Sequence, residues 1–96
     1  MIRHIVMFKF KEENKAENVA KTRAMLDALP AKIPQILHSE THVDCGIKGD
    51  NCDLILISDF ASHEDLENYI VHPDHKAVGA FMTPVRESRA CVDIEL

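Results

Sequence analysis

Two imidazoles and a phenol fall within the single run Tyr69-Ile70-Val71-His72-Pro73-Asp74-His75. Imidazole takes or gives a proton near neutrality, and a phenol beside it can orient one ring nitrogen, so the run holds the parts of a general acid–base site. Proline is favoured at the first helical position, where its missing N–H costs nothing; His72 is therefore the expected cap and Pro73 the opening residue of a helix. His75 then falls in the first turn. Its face continues through Val78 and Met82 at helical spacing, which aims the ring at apolar packing. His4 repeats the pattern on a strand, alternating with Ile2, Val6, Phe8 and Phe10. Histidines on two apolar faces imply a lined pocket; an enzyme built on it would use His75 as base or acid, Tyr69 to orient it and His4 as a second polar wall group. The competing account of each ring is a buried histidine hydrogen-bonded to backbone.

Other chemistry-bearing sets read more plainly. His38, Glu40 and His42 share one face of a strand pattern, a row of three metal-ligand types. Same-face residues stand roughly 6.6 Å apart, so the outer two imidazoles lie about 13 Å apart and cannot clasp one ion within a single chain. An ordinary polar strand face is the simpler reading. Cys45, Cys52 and Cys91 are odd in number and lack CxxC spacing, which indicates reduced thiols with no assigned chemistry. Arg86, Glu87 and Arg89 could bind an anion but read as a solvated charged segment ahead of the last strand. No phosphate loop, Ser-His-Asp order or HExxH run occurs.

The elements that must position these residues follow from periodicity. A strand from about Ile2 to Phe10 is apolar on both sides, since Ile5 and Met7 oppose the His4 face. Ala16, Val19, Met25, Leu26 and Leu29 recur at helical period from about Lys15 to Leu29, and Pro30 and Pro34 bracket the end. A second strand spans about Ile36 to Cys45. Gly46-Ile47-Lys48-Gly49-Asp50-Asn51 supplies the turn into a third, Asp53 to Phe60, with Leu54 and Leu56 on one side and Ile55 and Ile57 on the other. Ser62 and Asp65 resemble a capping box for a short helix whose inner face is Leu66, Tyr69 and Ile70. A helix from Pro73 to about Met82 and a strand near Ala90 to Leu96 complete the order β-α-β-β-α-(α)-β. This predicts an α+β class, a ferredoxin-like protomer whose helices cover one face of a four-stranded antiparallel sheet. Ile5, Met7, Ile55 and Ile57 would leave the other face apolar, so a homodimer with stacked sheets closed into an α/β barrel is expected.

With 96 residues, 46% of them hydrophobic, the chain fits one domain. Sixteen acidic against 11 basic residues give a net charge of -5, and no basic run is interleaved with aromatics, which argues against nucleic-acid and anionic-membrane partners. No apolar stretch approaches spanning length and the N-terminus opens directly into a strand pattern, so a cytoplasmic location is expected.

Arg3-His4-Ile5-Val6-Met7-Phe8-Lys9-Phe10-Lys11, then Ile33-Pro34, Asp59-Phe60 and the Tyr69 to His75 run together resemble the stress-responsive dimeric α/β barrel family, the Dabb domain, over residues 1–96. The resemblance implies a ferredoxin-like protomer dimerised through its sheets. One plant member is a cofactor-free cyclase that closes a linear polyketide by intramolecular aldol condensation. Its acid/base histidine matches His75, its supporting tyrosine Tyr69 and its N-terminal pocket histidine His4. Its third-strand histidine falls at Leu54 and its first-helix tyrosine near Leu26, so part of the polar grip is hydrocarbon in this chain. Some members hold magnesium on main-chain carbonyls after the first helix, corresponding to Pro30, Ile33 and Ile36. The resemblance thus implies a small apolar or polyketide-like ligand, no required cofactor, and cyclase- or isomerase-like proton transfer at His75. The alternative is a non-catalytic stress-associated dimeric module whose histidines are structural.

Overall fold

The computed structural model describes residues 1–96. Its elements are β1 (Ile2–Phe10), α1 (Lys15–Ala28), a 3-10 turn (Leu29–Ala31), β2 (Ile36–Val43), β3 (Leu54–Phe60), α2 (His63–Ile70), α3 (Pro73–Met82) and β4 (Arg86–Glu95). The strands form one antiparallel sheet in the order β2-β3-β1-β4, the ferredoxin-like arrangement.

Local chemistry accounts for the helix boundaries. Asn14, which precedes α1, sits at φ 54, a left-handed conformation that asparagine tolerates better than most residues. Ser62 Oγ accepts the Asp65 N–H at 3.2 Å and starts α2, as the capping pattern predicts. His72 caps α3 through its ring, with Nδ1 accepting the Asp74 N–H at 3.1 Å and Pro73 occupying the first turn. α1 gives way at Leu29 to the 3-10 turn, where the Leu29 carbonyl accepts both Lys32 and Ile33 N–H groups at 2.9 Å.

The helices cover the sheet face that carries His4, Val6, Phe8 and Phe10 from β1 and Leu54, Leu56 and Phe60 from β3. Val19 and Leu26 of α1, Leu66 and Tyr69 of α2, and Val78 and Met82 of α3 close this core. The opposite face is apolar at its centre. Ile5 lies between Ile57 and Val92, Met7 between Ile55 and Ala90, and Met7 and Val92 are exposed in the protomer.

Two sequence expectations need correction. β4 begins at Arg86 rather than near Ala90, so Arg86, Glu87 and Arg89 belong to the strand and are not a segment ahead of it. Alternation is hard to read there because β4 is an edge strand exposed almost throughout. The His38, Glu40, His42 row does lie on the outer face of β2, yet both rings lean along the strand: their Nε2 atoms reach 3.8 and 3.5 Å from the same Glu40 Oε2. Backbone spacing overstated the separation of their tips.

A bidentate pair ties the outer face together: Arg3 Nε and Nη2 donate to Asp59 at 2.8 and 3.0 Å. These hydrogen bonds hold the Asp59 carboxyl below its ordinary range against the opposing effect of burial. Its contribution to stability is therefore present above the ordinary carboxylate range and lost as pH falls through the lowered folded-state value. Asp59→Asn is expected to melt below the wild type at neutral pH, with the gap closing in acid. Melting curves across the carboxylate range test this, and a gap independent of pH would refute it.

Candidate functional site

β4 has no helix over its inner side, and that gap leaves a cavity of about 430 Å³ between α2, α3 and the inner face of β1 and β4. Val6, Leu26, Leu56, Val78 and Met82 supply an apolar lining, and His4, Tyr69 and His75 all reach it. The three polar residues come from β1, α2 and α3 respectively.

His4 is 6% exposed and faces Asp93 across the β1–β4 ladder. Its Nδ1 lies 2.5 Å from Asp93 Oδ1. With Nδ1–H donating to the carboxylate, Nε2 is left as the acceptor, the tautomer that carboxylate–histidine pairs select. Tyr69 is 1% exposed, and its ring centroid stands 6.1 Å from that of His4 and 4.4 Å from that of His75, with Phe60 packed against it at 4.9 Å. Burial pushes its phenol up to about 12, so it stays a hydrogen-bond donor throughout the neutral range. His75 Nδ1 lies 3.1 Å from the Ile70 carbonyl, which requires Nδ1–H and leaves Nε2 free to accept a proton. Desolvation lowers the His75 pKa, the Ile70 bond opposes it, and the nearby positive or ionisable His4, Arg89 and His72 lower it further. A neutral ring at physiological pH is the consequence.

The structure therefore brings together the three residues singled out in the sequence, with one change of role. Tyr69 meets His75 ring to ring, and the group that orients the imidazole is the Ile70 carbonyl. Leu26 lines the cavity as hydrocarbon. On β3 it is Leu56, not Leu54, that reaches the cavity.

Asp93 and Cys91, assigned no role from sequence, also line it, as do Arg86 and Arg89, which read there as a solvated charged segment rather than an anion site. Same-side alternation of Cys91 and Asp93 is visible in the chain, but their placement beside Val6 and His4 depends on register, which alternation does not set. Cys91 Sγ lies 3.6 Å from His4 Nδ1 and 3.9 Å from Asp93 Oδ1, which sets one metal-ligand atom from each of the three residues within 4.8 Å of the others. The short His4–Asp93 contact is already that of a hydrogen bond. Burial, then the Asp93 carboxylate, push the Cys91 thiol up, which disfavours the nucleophilic thiolate.

Pro30, Ile33 and Ile36 follow one another between α1 and the start of β2, outside the cavity lining. The Ile33 carbonyl accepts the Ile36 N–H at 3.2 Å, and the segment from Leu29 to Ile36 contains Lys32 but no carboxylate. That donor set suits magnesium poorly, because a hard cation favours anionic oxygens.

Comparison with known proteins places this geometry in a family. Residues 2–96 match the family model described as the stress responsive A/B barrel domain. The chain is 33% identical over 95 residues to a stress-response A/B barrel domain-containing protein of Arabidopsis thaliana; the match covers 97% of this chain and 36% of that protein, so the chain spans about a third of the relative's length. A dimeric ferredoxin-like protein of unknown function from Bacteroides fragilis superposes with a TM-score of 0.91 at 34% identity, covering 99% of this chain and 95% of that one. A hydroxynitrile lyase from Passiflora edulis shares the fold, with a TM-score of 0.86 at 19% identity over 99% of this chain and 92% of its own. By the match across nearly its whole length, the chain belongs to the stress-responsive A/B barrel (Dabb) domain family.

Proposed function

We propose that the protein is a homodimer whose protomers each bind a small, largely apolar molecule, polyketide-like in character, in the cavity between helices and sheet. There it would transfer a proton without a cofactor, with cyclase- or isomerase-like outcome. One observation carries this reading: side chains from three separate elements converge on an apolar cavity, and the Ile70 carbonyl fixes His75 as the tautomer with a basic Nε2. In this scheme His75 Nε2 removes a proton from carbon beside a carbonyl. Tyr69, held neutral, donates a hydrogen bond to the developing enolate oxygen, and the His4–Asp93 pair forms the second polar wall. No step runs through a metal at Pro30, Ile33 and Ile36, and none through Cys91. The three free cysteines agree with a reducing, cytoplasmic setting, and no helix is long and apolar enough to cross a membrane.

The test is solvent-deuterium incorporation into a medium-chain β,δ-diketo acid, followed by NMR with wild type and Tyr69→Phe. Enzyme-dependent exchange that falls about a hundred- to a thousandfold in Tyr69→Phe is expected, since the substitution keeps the ring stack and removes a single transition-state donor. Absence of any enzyme-dependent exchange would favour the non-catalytic module. That second reading has its own support in His4, whose burial and bond to Asp93 are those of a structural histidine.

A further inference from the structure

The chain carries 16 acidic residues, yet its arginines divide unevenly. Arg3 pairs with Asp59 and Arg23 with Asp27, while Arg86 and Arg89 have no ion-pair partner and both line the cavity. Their placement is a product of the backbone. Along β4 the register runs Cys91 against Val6, Arg89 against Phe8 and Ser88 against Lys9, and then slips, so that Arg86 instead of Glu87 faces Phe10. Without this irregularity, strict alternation would turn the Glu87 carboxylate inward beside Arg89. With it, Glu87 is freed for Lys9 on the other side, at 4.0 Å, and two guanidinium groups occupy neighbouring inward positions. Bulges of this kind re-aim side chains beside binding sites. The other charged group on the lining, Asp93, is four residues from Arg89, about 13 Å along the strand, and is occupied by His4.

We propose that the cavity recognises a carboxylate-bearing ligand, with Arg86 and Arg89 holding the carboxylate at the mouth while the apolar body lies toward Tyr69, His75 and the His4–Asp93 pair. This rests on the cavity being a ligand site, as argued above, and adds the chemical class of what enters it. Guanidinium groups suit a carboxylate because each presents paired N–H donors in a planar fork. The order along the cavity is anion anchor first, proton-transfer groups beyond it. An acid whose reactive carbonyl stands some carbons from the carboxylate would be positioned with that carbonyl near Tyr69.

The experiment compares para-pentylbenzoate with its neutral isostere para-pentylbenzamide by calorimetric titration, on the wild-type protein and on Arg86→Gln/Arg89→Gln. In the wild type the benzoate is expected to bind about tenfold more tightly or better, because its two anionic oxygens accept bidentate bonds from guanidinium where the amide offers one neutral acceptor. In the double variant the benzoate should fall to the level of the benzamide, whose own affinity changes far less. Bound benzoate should also slow alkylation of Cys91, which lines the cavity, and leave Cys45 of the β2–β3 loop unaffected. Equal affinity of the two probes for the wild type, or a benzoate advantage that survives in a folded double variant, would overturn the anion anchor and leave the apolar cavity standing. Binding of neither probe would remove the cavity as a ligand site and the anchor with it. The wild-type comparison decides the matter even if the double variant proves unstable.

Discussion

Ile5→Asp is expected to convert the protein from dimer to monomer. Ile5 sits mid-sheet on the outer face with Ile57 and Val92 as its ladder neighbours, and two solved structures similar to this chain, at 34% and 29% identity, are described as dimeric. If two such faces stack, each aspartate would be buried without a free cation, since Arg3 on the same face is held by Asp59, at a cost of about 3 kcal/mol or more, a weakening of the dimer beyond a hundredfold. The position is more decisive than Ile57, where an introduced lysine would find Glu40 directly across the β2–β3 ladder. In the isolated protomer residue 5 is half-exposed, so the monomer should retain its helices and sheet. Light scattering at micromolar concentration with circular dichroism reads both quantities. A variant that still runs at twice the chain mass would show that this face is not the interface.

The apolar outer face was legible in the sequence because it rests on a simple count: β1 and β3 are apolar at both odd and even positions, and the helices suffice for one side only. The core-facing residues, the caps at Ser62 and His72 and the presence of His4, Tyr69 and His75 in one pocket follow from the same periodicity and from local hydrogen-bond chemistry. What could not be read was everything governed by strand register. Asp93 faces His4, and Arg86 rather than Glu87 turns inward, only because β4 pairs with β1 in one alignment and slips once within it. An exposed edge strand has too little hydrophobic contrast to announce either fact. The orienting role of Ile70 was hidden for a different reason: it is played by a backbone carbonyl, and a carbonyl has no sequence signature.

His75→Ala is expected to leave a folded dimer with its proton transfer reduced by about a hundred- to ten-thousandfold, the usual contribution of a positioned general base. The ring is half-buried at the edge of the cavity, and its one hydrogen bond is to the Ile70 carbonyl, so truncation should cost no more than ~1 kcal/mol. The pH dependence separates a base from a bystander. Because desolvation lowers the folded-state pKa of His75, wild-type activity should rise with pH through a midpoint below that of an ordinary imidazole and hold level through neutrality. The same shift acts on stability with a definite sign: below the ordinary imidazole range the unfolded chain accepts a proton that the folded ring resists, so the wild type loses stability as pH falls there. His75→Ala should lack that increment of acid sensitivity and lie nearest the wild type in melting temperature at the acid end. Activity and melting measured on the same samples move in opposite ways for the two roles. A large loss of melting temperature at neutral pH with residual exchange intact would make His75 a structural group and move the search for the base to His4.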